Sequence, residues 1–288
     1  MPVIEPAVLV PVVAVAALYL RGWMTVSRRM PVRFGPHQAI AFLTGLGIVL
    51  LASSTLFDAS GHRLLWAHMI QHMLLMLVAP PFLWMGAPVA PILLGLPRTV
   101  RGAVARGLAW RPIRWLSGLL THPAISWIAF VVMFWGWHVP ALYELALEAD
   151  LWHHVEHACF LGAALLFWRP VILPWPARSP WPRWAMIPYL VLADLQNSVL
   201  AAIFTFSDRV IYPAYAAIPR TSGSALEDQA LAGVIMWVPG SVLFFVPVLW
   251  LVVTALLPPR SIRAESAWSF DQLRRDAPAR GSRSPRGS

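Results

Sequence analysis

Seven apolar runs, each about as long as a bilayer is thick, constrain this chain more than any other feature. They are Val3–Leu20, Gln38–Phe57, Leu64–Met85, Pro123–Val139, Leu151–Trp168, Trp184–Phe206 and Leu231–Leu257. Roughly 20 helical residues cross the ~30 Å hydrocarbon layer; the shortest run, Pro123–Val139, has 17. Inside hydrocarbon a segment must satisfy its own backbone polar groups, so these runs are expected to be helices. Composition agrees. Hydrophobic residues make up 58% and charged residues 12%, against roughly 45–50% and about 25% in a soluble domain. A soluble globule of 288 residues has no interior large enough for so much apolar surface. The expected fold is an all-α polytopic membrane protein: a bundle of about seven transmembrane helices over residues 1–257. An Arg-rich, disordered cytoplasmic tail over 258–288 follows it. A single cysteine, Cys159, excludes a disulfide scaffold, and the apolar content excludes a disordered chain.

All 22 basic residues are arginines, and the formal charge is +9. In a soluble chain such a balance would suggest nucleic acid. In a membrane chain it orients the helices and meets anionic lipid. Position decides. With the N-terminus outside, nineteen arginines fall on the inner side, among them Arg28, Arg29, Arg98, Arg101, Arg114, Arg178 and Arg183 and seven in the tail. Only Arg63, Arg209 and Arg220 fall outside. The expected placement is therefore a bacterial plasma membrane, N-terminus out and C-terminus in, with lipid and no nucleic acid as partner. The first run has no basic stretch before it, so it reads as a true helix and not a cleavable signal. Arg98–Trp115 mixes arginine with apolar residues and reads as an interfacial amphipathic helix.

Polar residues inside apolar spans are expensive, and each is a candidate for function. The histidines gather at one side. His68 and His72 lie in the third span, His138 closes the fourth, and His153, His154 and His157 open the fifth. On this topology all six lie in the outer half of the membrane, with His62 in the adjoining loop. Only His37 and His122 fall on the inner side. At ~100° per residue, His68, His72 and Met76 form one stripe at i, i+4 and i+8. His153, His154 and His157 span a ~100° arc, and Cys159 points away from them. Imidazole suits copper, zinc, iron and nickel, whereas thioether selects Cu(I). A lone histidine in a span is more often a packing residue; a clustered set favours a metal. The methionines at 69, 73 and 76 read on their own as packing. Glu156, beside His157, can orient an imidazole. Asp194, followed by Gln196 and Asn197, reads as a hydrogen-bonded lock between helices, with a proton or ion relay as the alternative. No hydrolytic or phosphate-binding motif is present, and no enzyme is expected.

Four segments carry a resemblance: HMIQHMLLMLVAPP from His68 to Pro81, MGAP from Met85 to Pro88, FWGWHVP from Phe134 to Pro140, and WHHVEH from Trp152 to His157. Together they resemble the CtaG family, assembly factors of caa-type cytochrome c oxidase, over roughly residues 37–257. The resemblance implies a plasma-membrane protein needed to make active haem–copper oxidase and linked to copper supply. Matched onto this chain, its polar positions are His68, His72, His138, His153, His154 and His157. The expected function is assembly of cytochrome c oxidase, with copper held at an outward-facing site of these histidines and Met76 and passed to an oxidase subunit. Three rivals use the same residues differently. A b-type cytochrome would ligate haem, a copper transporter would need polar residues along the whole path, and a metal-free scaffold would use the histidines structurally.

Overall fold

The structure is a computed structural model that describes residues 4–219 and 223–256. The tail over 258–288, with seven of the inner arginines, lies outside the described residues, as do Val3, Arg220 and Leu257. The fold is all-α. The one extended pairing among the described residues is an isolated bridge between Ile4 and Ser54.

Among the described residues, five helices are long and apolar enough to cross a membrane: Pro6–Arg29 (α1), Leu65–Met85 (α3), Asp150–Ile172 (α5), Arg183–Phe206 (α6) and Ala225–Leu256 (α7). The other two expected spans are shorter apolar helices, Pro36–Ala52 (α2) with 17 residues and Pro123–Trp137 (α4) with 15. At 1.5 Å per residue these reach only about 25 and 22 Å. The run expected over 38–57 stops at Ala52 and continues as a separate short helix, Thr55–Gly61. The amphipathic stretch is two helices, Arg98–Ala109 and Arg111–Leu120, with no buried residue in either. The second meets α4 at a 68° bend, where Pro123 starts α4.

Packing follows the demands of lipid, where polar groups and small residues hold helices together. Aromatic N–H and O–H groups donate to main-chain carbonyls of neighbouring helices: Trp84 to Leu165, Trp127 to Tyr189, Trp168 to Met76 and Tyr189 to Phe167. One of these bonds has a local cause. Pro80 lacks the N–H that would close an α-turn onto the Met76 carbonyl. The turn over Leu74–Val78 widens into a π-helix, with Ala79 N–H reaching the Leu74 carbonyl, and the indole of Trp168 fills the vacancy at Met76, 2.9 Å away. Between α6 and α7, Ser241 donates to Asp194 at 2.8 Å, and Asn197 donates to the Met236 carbonyl at 3.0 Å. Asp194 thus forms the interhelical bond its neighbours suggested. α1 is pinned by close approach: a side chain at Gly22 would run into the backbone of Pro91, and one at Gly95 into that of Leu18.

Candidate metal centre

The third span starts where a distant carboxylate caps it. Asp228, on α7, accepts from Leu65 N–H at 2.9 Å and Trp66 N–H at 3.3 Å. A carboxylate there satisfies orphan donors and opposes the positive end of the helix dipole. That cap places His68 and His72 one and two turns inside α3, both buried.

Their Nε2 atoms lie 2.7 Å apart, so one ring donates to the other. Glu156 of α5 faces the pair and has no exposure. Its Oε1 is 3.5 Å from His72 Nε2 and its Oε2 is 3.6 Å from His68 Nε2. These separations are too long for hydrogen bonds and short enough for strong electrostatic contact. His153 and His157 flank the carboxylate, their rings 4.2 Å apart, with His153 5.3 Å from His68 and His157 5.6 Å from His72. One ligand atom each from His68, His153, Glu156 and His157 lies within 4.8 Å of the others. Nitrogens sharing an ion at ~2.0–2.1 Å lie about 4 Å apart or less, so rotamer adjustments would bring these four into one coordination sphere.

His138 approaches from the end of α4, its ring 6.1 Å from that of His72. Its Nδ1 donates to the Phe134 carbonyl at 2.6 Å, leaving the Nε2 lone pair free. The His138 carbonyl accepts from the Tyr212 hydroxyl at 3.0 Å. Tyr212 stacks on Tyr143 at 3.9 Å, and the Tyr143 ring lies 5.1 Å from that of His68. These tyrosines roof the cluster from outside the spans. Burial raises both phenols well above the ordinary range, so both stay protonated.

His72 Nδ1, Nε2 of His138, His153 and His157, and both Glu156 oxygens are buried without a hydrogen-bond partner. Of the expected residues, the structure gathers His68, His72, His138, His153 and His157. Met76 lines a small cavity beside His72 and His138. His154 stands apart. One residue on from His153, it turns about 100° around the helix; its Nδ1 donates to the Asp150 carbonyl at 2.6 Å, and its Nε2 pairs with Glu5 at 3.0 Å. Glu5 and His154 line a cleft of about 340 Å³ that also reaches His153 and His157. Glu156, expected beside the cluster, lies at its centre, and the capping role of Asp228 was not foreseen. No sequence spacing announces a contact between residues more than 160 positions apart.

Fold and site together define a polytopic helical membrane protein with an imidazole–carboxylate cluster buried at one end of its bundle. The chain belongs to the cytochrome c oxidase caa3 assembly factor family, Caa3_CtaG, whose model matches residues 17–256. It is 28% identical over 242 residues to uncharacterized proteins of Mycobacterium bovis and Mycobacterium tuberculosis, covering 78% of this chain and 35% of each. An uncharacterized protein of Mycobacterium leprae is 25% identical over 235 residues, covering 76% of this chain and 34% of its own. The chain thus spans about a third of the length of the curated relatives it matches. No solved structure matches it.

Proposed function

We propose that this chain serves the assembly of cytochrome c oxidase in a bacterial plasma membrane by holding copper at the cluster and handing it to an oxidase subunit. One observation carries the proposal: the Glu156 carboxylate is fully buried with no hydrogen-bond donor, surrounded by imidazoles whose free nitrogens also lack partners. A buried carboxylate that faces imidazoles at 3.5–3.6 Å without a hydrogen bond is only partly compensated, and an unpaired buried charge costs several kcal/mol, in order of magnitude. A cation bound by the carboxylate and imidazoles removes that cost. His68, His153, Glu156 and His157 would hold the ion, and His72 and His138 beside them would relay it. The cleft beside Glu5 and His154 gives the ion an approach from the end where α1 begins. With the nineteen-to-three arginine division, that end faces outward, where copper would arrive.

The haem alternative needs two imidazoles on opposite sides of a planar macrocycle. Here the rings pack edge to face on one another, 4.3 Å apart for His68 and His72, around a carboxylate. The scaffold alternative keeps the geometry and drops the ion, so metal analysis decides it. The full-length protein, purified from copper-fed cells, should retain copper. His72→Ala should reduce that retention roughly tenfold or more, and oxidase assembly with it, at an unchanged membrane level. Normal oxidase assembly in the alanine variant would make the cluster structural. A Soret band in the purified protein would replace copper with haem.

A further inference from the structure

A second chamber of different chemistry adjoins the cluster. Met69, Met73 and Met76 of α3 and Met236 of α7, with His72 and His138, line a cavity of about 20 Å³. That is room for one water or one ion. Four of the chain's ten methionines meet there, so the run that reads as packing along one helix is completed by a thioether from another. Met69, Met76 and Met236 are buried. The two imidazoles in the wall supply the second observation. His138 Nε2 and His72 Nδ1 are buried and have no hydrogen-bond partner, and both residues are at most 5% exposed. The bond from His138 Nδ1 to the Phe134 carbonyl fixes Nε2 as the atom available for a ligand. Gln196 and Asn197 also line the cavity, but their amides are engaged with Trp135, the Ala193 carbonyl and the Met236 carbonyl; the unpartnered imidazole nitrogens and the thioethers suit a soft cation.

Donor chemistry separates this chamber from its neighbour. Imidazole with carboxylate suits borderline divalent ions such as Cu(II) and Zn(II), whereas thioether with imidazole selects Cu(I). We infer that the methionine chamber is a distinct soft-metal site, taking Cu(I) on His138 Nε2 and two or three thioethers drawn from Met69, Met73, Met76 and Met236. His72 belongs to both sites: its Nε2 lies 3.5 Å from Glu156 Oε1, its Nδ1 has no partner, and the residue lines the methionine chamber. The inference deepens the proposed copper function by assigning the monovalent ion a place away from the carboxylate.

The test uses the full chain in detergent with two redox-inert probes: Ag(I) for the soft site and Zn(II) for the cluster. Methionine and leucine are close in volume, so exchanging them costs little packing. Met73→Leu/Met236→Leu should weaken Ag(I) binding at least ~10-fold and leave Zn(II) binding as it was, while Glu156→Gln should do the reverse. X-ray absorption of the Cu(I) form should show sulfur among the nearest neighbours in the wild type and fewer sulfurs in the double variant. Unchanged Ag(I) affinity, or a shell of nitrogen and oxygen alone, overturns the inference. If the double variant fails to accumulate, Met236→Leu alone is read in the same assay with the same two outcomes. Zn(II) binding that ignores Glu156→Gln would sink the cluster assignment and leave the soft site standing.

Discussion

Glu156 can be made harmless or useless by a single-atom change, and the two outcomes differ measurably. A buried carboxylate without donors destabilises the metal-free fold. Glu156→Gln removes the charge and keeps the shape, so the metal-free variant should melt at or above the wild-type temperature. It should also lose the stabilisation that metal confers, which at 100 times the Kd amounts to about 2.7 kcal/mol. Melting curves with and without Zn(II) check both parts; a variant still stabilised by the ion would remove Glu156 from the site. Asp194 is the contrasting carboxylate. Its partner is the Ser241 hydroxyl, and an amide oxygen accepts that bond equally well. Asp194→Asn should therefore leave protein level and oxidase assembly unchanged, and loss of assembly at normal level would reveal an ionisable role. At this scale the sequence was informative about direction along one helix. The spacing of His68, His72 and Met76 puts them on one stripe; the structure pairs His68 with His72 and sets Met76, within the π-turn, in the wall of the cavity beside His72. Spacing is silent on what faces that stripe across the bundle. For that reason Glu156 reads as an accessory from the sequence yet lies at the centre, and His154 groups with its neighbours although its side chain turns to Glu5.

Helices here are positioned by contacts at their ends and crossings. Asp228 ties the start of α3 to α7, and removing it leaves two N–H groups of a buried helix terminus without their carboxylate. Asp228→Ala should cost about 1–3 kcal/mol, lower the melting temperature, and weaken metal binding because His68 lies only one turn beyond. Asp228→Asn keeps an acceptor and should restore most of both. A variant that melts lower while binding metal normally would show that the cap does not set the histidines. The crossing of α1 with the segment Val89–Gly95 depends on Gly22, whose absent side chain lets backbone meet backbone. Gly22→Leu should lose more than the ~1–3 kcal/mol typical of overpacking, because the obstruction is main chain and cannot rotate away. Accumulation of the variant in membranes measures it. Hydropathy alone gave the bounds of α3, α5 and α6 to within a few residues, whereas α1 runs on to Arg29 and α7 begins at Ala225, through polar turns that a hydropathy run excludes. The π-turn at Leu74–Val78 was not legible, because it arises from the proline pair and from Trp168, 92 residues from the carbonyl it satisfies.

For the whole molecule, we propose from the seven apolar runs and the arginine division that the N-terminus lies outside and the C-terminus inside. A reporter phosphatase, active only outside the cytoplasm, should be silent when fused after Ser288 and active when fused in the loop around Arg209. The opposite pattern would invert the bundle and put the cluster on the cytoplasmic side. The two shorter helices, α2 and α4, belong to this scale too. Neither reaches across the full ~30 Å hydrocarbon layer on its own length, and the bent pair Arg111–Leu120 with Pro123–Trp137 is long and apolar enough for a crossing only when taken together.

The bonds from Trp84, Trp127, Trp168, Tyr189 and Asn197 all end on main-chain oxygens of another helix. A carbonyl is common to every residue type, so Leu165, Met76, Phe167 and Met236 can each change identity without losing the bond they accept, whereas the donors cannot. The frame is thus specified by a short vocabulary of indoles, phenols and amides, read against a backbone indifferent to side chain. Two chains with little more than a quarter of their residues in common can build the same bundle, provided the differences fall on the accepting side.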